Sequence, residues 1–522
     1  LKFTNREDTS SVVDKTADYQ VASGFKLERI YEVPAEQGSW VAMTKDDKGH
    51  MICSDQYGKI YQVTLGNQAG SEIKVEAMPI PLSGAHGLLW HDGVLWVTVN
   101  EGMDQSGVWR VTDTNGDGTP DQPELIKAFQ GRGEHGPHAL LASQDGKMIY
   151  VIAGNGTDMP TFEKSMAARS WGEDQLLPRQ TDPTGYAHNV MAPGGWIARF
   201  TTDGKNWETV SMGLRNAYDI AFNETGDLFT YDSDMEWDLG MPWYRPTRIC
   251  HVVAGAEFGW RNGSGVWPSY YEDSMGSQLD IGPGSPTGLV SGKGTKFPQK
   301  YQSALFALDW TFGTIYAVHL TPDGPGYQAQ CEEFISGNGL PLTDATVGSD
   351  GALYFLTGGR RVDSSLWRVI YTGTESTTPV EYHQKEINLI PTTAATTLMG
   401  DEHRLNRFNA RVSLEQLGPE SFNNVLNDDK SSVWQVIGAS IGITRIGTAE
   451  DSKKSLAALD RIDWSQLSLA QKLNWLRAVG LVFARHGVPE KEVHDRVLSK
   501  IDASTSVVVS VNNSLVCFGL EK

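Results

Sequence analysis

What the chain lacks narrows its identity first. Its 522 residues hold only four cysteines, Cys53, Cys250, Cys331 and Cys517, and these are widely scattered. None falls in a CxxC pair, a CxxCH haem-attachment run or a zinc spacing, so isolated thiols and no haem are expected. No apolar run approaches the ~20 residues that cross a bilayer, so no transmembrane segment is expected. Positive charge is short as well: 44 Lys and Arg against 64 Asp and Glu give a net charge of −20. A field of that sign disfavours nucleic acid and anionic membrane surfaces and suits neutral sugars or cations. The chain starts at Leu1, with neither an initiator Met nor a signal-peptide pattern. A processed, exported protein has this form, and so does a trimmed chain.

What is abundant is Gly, with 55 residues, and Trp, with 16. That pairing suggests short strands joined by tight turns. One unit recurs: an apolar strand, a polar turn with Gly, then a strand alternating apolar and aromatic residues. It appears as VAMTKDDKGHMICS (41–54), GLLWHDGVLWVTV (87–99), ALLASQDGKMIYVI (139–152), DIAFNETGDLFTY (219–231) and DATVGSDGALYFL (344–356), with a divergent copy ALFALDWTFGTIYAV (304–318). Such a unit cannot bury both its faces alone, and a ring of them can. The expected fold is mainly β, a six-bladed β-propeller over 21–372 preceded by an arm, 1–20. The early strand FKLERIYEV (25–33) is expected to close the ring on the last blade. Two stretches, 155–195 and 232–302, interrupt the repeat and are expected to roof one face. A Thr-rich linker, 373–400, leads to an α-helical segment of HEAT-like repeats, 401–522. There Asp401 is a candidate N-cap ahead of Leu405, Phe408 and Val412, with Gly418–Pro419 as the stop. Ser468 caps a second helix carrying Leu469, Leu473, Leu476 and Phe483, which Gly487 ends.

Three motifs carry chemistry. DTNGDGTPDQPE has calcium-loop spacing, with Asp113, Asn115, Asp117, Thr119, Asp121 and Glu124 at positions 1, 3, 5, 7, 9 and 12 and Gly118 at 6. Strands rather than helices flank it, so a structural staple is expected. GEHGPHALLASQDGK sets His135 and His138 at the mouth of the third blade, where an imidazole can take a hydroxyl proton. GLRNAYDIAF brings Arg215 and Asn216 to the equivalent place in the fourth, followed by an acidic, aromatic run of Asp232, Asp234, Glu236 and Asp238 near Trp237, Trp243 and Tyr244.

These motifs, with AGAEFGWRNG (254–263), resemble the glucose/sorbosone dehydrogenase propellers, which use pyrroloquinoline quinone and calcium. YDSDMEWDLGMPWYRPTRICHVVAGAEFGW, DIGPGSPTGLV, LDWTFGTIYAVHL and the helical segment are similar to large exported planctomycete proteins of the membrane-bound or sorbosone-type dehydrogenase group. The resemblance implies His135 as general base and Arg215 and Asn216 as groups on substrate and quinone. It puts His138, which stands where the family usually has Gly, beside the cofactor, with calcium on backbone oxygens of Asp232, Ser233, Asp234 and Met235. The family's carboxylate-binding cations have no counterpart in LDWTFG (308–313) or LPLTD (340–344). Arg245 and Arg248, with Arg261, Arg360 and Arg361, are the cations left to replace them. The larger relatives' haem module is missing, so a separate acceptor such as cytochrome c is implied, with secretion to the periplasm or cell surface. The readings that follow are a calcium-dependent sugar or alcohol dehydrogenase, a glycan- or protein-binding scaffold with the helices as partner surface, and a propeller lactonase or hydrolase.

Overall fold

The computed structural model describes residues 14–16, 19–66, 73–100, 104–131, 133–181, 187–233 and 244–502. Six sheets, antiparallel apart from two short parallel pairings in the third, stand around one axis. The first blade runs outward through Trp40–Lys45, Met51–Asp55, Ile60–Thr64 and Lys74–Ala77, and the second through Ala85–His91, Val94–Val99, Gly107–Thr112 and Gln122–Ala128. The third starts at Pro137–Ala142, the fourth at Ile220–Phe222, the fifth at Pro286–Ser291 and the sixth at Leu342–Val347. Each inner strand packs on the next, and the sixth returns to the first. The hairpins follow turn chemistry: Asp92 and Gly93 both take positive φ (50° and 76°) between two strands of the second blade, the two-residue turn that matches strand twist.

Phe25–Glu32 pairs with Ser365–Tyr371, so an N-terminal strand finishes the sixth blade. Phe25 pins this closure, buried edge-on against Phe297, Tyr301 and Phe334 at centroid distances of 4.8, 4.9 and 4.8 Å. Two carboxylates lock inner strands sideways. Asp219 accepts from Leu289 N on the fifth blade (2.8 Å), and Asp344 of the sixth accepts from Met43 N on the first (2.7 Å). Enclosure pushes the pKa of both carboxyls up.

The repeat fails at the fifth blade. The divergent copy at 304–318 supplies that blade's second and third strands, Leu305–Asp309 and Thr314–Asp323. Its inner strand is Pro286–Ser291, joined onward through the short helix Gln299–Gln302 in place of a tight turn, which removes the Gly signal. Hence 232–302 is no simple roof. It carries the outer strands of the fourth blade, Thr247–Val252 and Leu279–Gly282, as well as this inner strand. The arm adds Asp14–Thr16 and Tyr19–Val21 to the outer edge of the fifth blade.

Residues of the linker lie along the blades: Tyr382 Oη donates to Gln302 O, and Gln302 Nε2 donates to the carbonyls of Thr377 and Thr378. The helices follow, among them Arg404–Glu415, Val433–Ile446, Ala449–Asp460 and Leu469–His486. Ser468 and Gln471 form a capping box, and Gly487 ends that helix at φ 82°. Asp401 is not the N-cap it was expected to be. Its carboxylate accepts from His403 N two residues early, and His403 holds the cap position. The buried face of the last-named helix is Trp475, Ala478, Val479 and Val482, while Leu469 stays 43% exposed. Arg477 on the same helix turns to the propeller, so the helix is buried on two sides and the expected single stripe is displaced.

Truncating Phe25→Ala is expected to lower unfolding free energy by about 3–5 kcal/mol, the range for a buried Phe, read from denaturant melts.

Candidate active site at the propeller axis

A cavity of about 160 Å3 opens at the end of the ring where the inner strands begin, and all six blades line it. The first blade gives Val41 and Gln56, the second His86, and the third Glu134 and His135. Asn216, Tyr218 and Ser233 come from the fourth, Ser285 to Thr287 and Trp310 from the fifth, and Thr343, Gly359 and Arg360 from the sixth. Hydroxyls, amides, imidazoles and one indole dominate the side chains, with the Glu134 carboxylate and the Arg360 guanidinium among them, a set suited to a ligand rich in hydroxyls.

His135 and Asn216 meet here, as their motifs suggested, although 81 positions separate them. His135 Nδ1 lies 2.5 Å from Asn155 Oδ1 and donates to it, which leaves the ring's lone pair at Nε2. Burial, followed by the charge of Arg215, holds this imidazole well below the usual histidine pKa, so it is neutral at pH 7. Arg215 itself does not line the cavity. Its Nη1 donates to Ser233 Oγ (2.9 Å), and Ser233 forms the wall. His138 lies beneath, stacked on Tyr218 at 4.1 Å and on His86 at 6.1 Å, with Nε2 3.1 Å from Asn216 Oδ1. Burial lowers His138 to about 3 and His86 to about 4.

Asp232 organises the turn that presents Arg215 and Asn216. Its carboxylate accepts from Arg215 N (3.1 Å) and Asn216 N (3.0 Å), and from Arg248 Nε (3.2 Å) and Nη2 (3.0 Å). The resemblance put Arg248 and Arg245 beside a cofactor, but neither lines the cavity. Arg248 balances buried Asp232, and Arg245 donates to Trp267 O. Arg261 is likewise turned away, donating to Glu257 and to Gly172 O and stacking on Trp267 at 4.0 Å. Arg361 lies over Tyr57 at 5.0 Å, and Arg360 alone of the five enters the cavity lining. Asp234, Met235, Glu236, Trp237, Asp238 and Trp243 fall outside the described residues.

In the 113–124 loop the oxygens turn onto backbone. Asp113 accepts from Gly116 N and Gly118 N (both 2.7 Å), Asn115 from Asp117 N (2.8 Å) and Asp117 from Thr119 N (2.8 Å). Asp121 accepts from Thr114 N at 3.1 Å. Glu124 sits on the strand Gln122–Ala128 and pairs with Arg110 across the ladder at 2.5 Å, away from the position a twelfth ligand needs. Among the described residues no three His, Cys, Asp or Glu side chains are grouped as a metal ion requires. Asp-rich turns use the same residue types as calcium loops, and here the self-capping turn accounts for each of these contacts.

His86, Trp310, Gln56 and Asn155 were missed in the motifs. His86 stands one residue before the copy GLLWHDG, in the place His138 holds in the third blade, so the repeat contained its signal. Gln56 and Asn155 follow second strands in polar loops with no pattern around them.

No protein-family model and no curated protein matches the chain. Solved structures do. One is a Thermus thermophilus protein described as a glucose-dehydrogenase oxidoreductase, 21% identical over 66% of this chain and 100% of its own, at TM-score 0.47. Another is the soluble aldose sugar dehydrogenase of Escherichia coli in its apo form, 14% identical over 66% and 99%, at TM-score 0.46. A third is the PQQ-bound aldose sugar dehydrogenase of Streptomyces coelicolor, 14% identical over 67% and 99%, at TM-score 0.43.

Two outcomes are expected from the site's electrostatics. His135, His138 and His86 have folded pKa values below the unfolded 6.5, so the unfolded chain binds more protons as pH falls. Their stabilising share is complete above 6.5 and is lost downward, levelling near 4 for His86 and near 3 for His138; urea midpoints across pH 7 to 4 check this. In the 113–124 loop, Asp113→Ala is expected to lower Tm equally with calcium or with a chelator. A loss confined to calcium-loaded protein would restore the cation reading.

Proposed function

We propose that this protein is a quinoprotein-like oxidoreductase that oxidises a sugar or alcohol hydroxyl in the axial cavity. The observation that carries the reading is His135: a buried, neutral imidazole with its proton committed to Asn155 and its lone pair on Nε2, on the wall of a polar cavity. A base with that protonation can take a hydroxyl proton without first losing its own. Gln56, Asn216, Ser233, Thr287 and Thr343 supply donors and acceptors that orient the remaining hydroxyls, and Trp310 supplies an apolar face. Asn216 is held by Asp232 at its backbone and by His138 at its amide, so it is fixed before a ligand arrives.

Pyrroloquinoline quinone, which the sequence resemblance implies, carries three carboxylates. Among the described lining residues one cation faces them, Arg360, and it is paired with Glu134. Burying unpaired carboxylates is costly, so the described lining balances one carboxylate of the three, and no step is derived through the quinone. A calcium ion at 232–235 would use backbone oxygens, since the Asp232 carboxylate is occupied by Arg215, Asn216 and Arg248. Under this reading the protein works outside the cytoplasm and passes electrons to a separate carrier such as cytochrome c. The short supply of cations favours a second reading, a propeller that binds a glycan without turnover.

Dye reduction with a panel of aldoses and sugar alcohols, with quinone and calcium added, tests the proposal. Turnover is expected, falling about 100-fold or more in His135→Ala. Calorimetric binding without dye reduction would establish the scaffold reading, and lactone hydrolysis without quinone would establish a hydrolase.

A further inference from the structure

We infer that Glu134 and Arg360 form a clasp over the axial cavity, and that Arg360 selects ligands carrying one carboxylate, a sugar acid over the neutral sugar. The inference names the substrate class of the site proposed above and rests on that reading. Glu134 lies in the turn Gly133–His135 leading into the third blade, and Arg360 in the turn after the second strand of the sixth. In a six-membered ring the third and sixth blades face each other across the axis. Arg360 Nη2 donates to Glu134 Oε2 at 2.5 Å, joining residues 226 positions apart. The bridge therefore spans the opening, one residue from His135.

Arg360 is held for this position. Its φ is 51°, a left-handed conformation that is costly for a side chain with Cβ, and Arg361 follows at 63°. Its backbone N donates to Gln56 Oε1 on the first blade (2.5 Å), and its guanidinium lies 5.1 Å from the Trp310 ring centroid on the fifth. Two other blades thus fix where this cation points. Glu134, by contrast, is a replaceable partner: both side chains are 49% exposed, and solvent-exposed ion pairs contribute little. A guanidinium fork accepts a ligand carboxylate through two parallel bonds, and the Glu134 carboxylate stands in for it when no ligand is bound. One cation balances one carboxylate, and the hydroxyl-binding lining of Gln56, Asn216, Ser233 and Thr343 suits the rest of a hexuronate.

The test is calorimetry of the full chain with D-glucuronate and with D-glucose at low salt. Wild type is expected to bind glucuronate about threefold tighter, the order for one half-exposed ion pair. Arg360→Gln is expected to erase that ratio, and Glu134→Gln to raise it by removing the competing carboxylate. Equal affinities in wild type, or a preference that survives Arg360→Gln in protein with native circular dichroism, overturn the inference. If Arg360→Gln does not fold, Glu134→Gln decides alone, and an unchanged ratio overturns it. Pyrroloquinoline quinone is titrated in parallel, and binding tighter than glucuronate that also depends on Arg360 would reassign the carboxylate to a cofactor and overturn the proposal. Equal binding of the two sugars leaves the oxidoreductase reading intact, binding of neither sugar removes both, and a sugar-acid preference without dye reduction removes only the oxidoreductase.

Discussion

Everything at the axis depends on one hydrogen-bonded seam, the pairing of Phe25–Glu32 with Ser365–Tyr371. A twisted sheet stack with two free edges has no fixed axis, whereas a closed ring sets the separation of opposite blades. Only then do Glu134 and Arg360 come within one hydrogen bond, and only then does a wall drawn from six blades enclose a common cavity. The seam joins the two ends of the propeller sequence, so the site cannot assemble from any consecutive part of the chain. The carboxylates of Asp219 and Asp344 repeat the logic on a smaller scale, each reaching across one blade boundary to a backbone N–H of the next inner strand.

Within the ring, charge is spent before chemistry is served. A protein of net charge −20 would be expected to crowd carboxylates into a loop-built site. Instead, Asp232 is consumed by two backbone N–H groups and the Arg248 guanidinium. Breaking such a buried pair commonly costs about 3–5 kcal/mol, because an uncompensated charge stays behind. The work done is positional: the Arg215–Asn216 turn is held from below, while Asn216 and Ser233 line the cavity. The three imidazoles follow the same rule in reverse, since burial disfavours their charged form and keeps them neutral.

The architecture was legible because propeller repetition is written in local signals: turn residues, alternation and a period. It failed where the local signal changed, at the fifth blade, whose inner hairpin is replaced by a longer connection with a helix. At the site, His135 and Asn216 could be found because each precedes an inner strand at a motif. Arg245 and Arg248 were misassigned because a sequence shows which cations exist but not which buried carboxylates claim them. The 113–124 spacing admits two readings for a related reason. Asp and Asn at alternate positions with Gly satisfy a self-capping turn as well as a cation, and only the direction of Glu124 along its strand separates the two.

The helical segment belongs in the same account. Arg477 grips Asp273 through Nε (3.0 Å) and Nη2 (2.6 Å) while its Nη1 reaches Asp174 O (2.7 Å). Arg485 pairs with the Asp174 carboxylate at 2.8 Å, and Arg407 with Glu272 at 2.6 Å. Burial alone would raise the Asp273 pKa, but Arg477 and Arg445 outweigh it and hold that carboxyl below its usual range. Trp267 fills the space between, with guanidiniums of Arg261 and Arg477 at 4.0 and 4.5 Å from its ring. Charge-assisted hydrogen bonds are directional, so these pairs set how the helices meet the propeller. Asp174 and Glu173 sit in the 155–195 insertion, whose first residue is Asn155, the acceptor that sets the His135 proton. The helices therefore hold the middle of the segment that begins at Asn155, the acceptor beside His135.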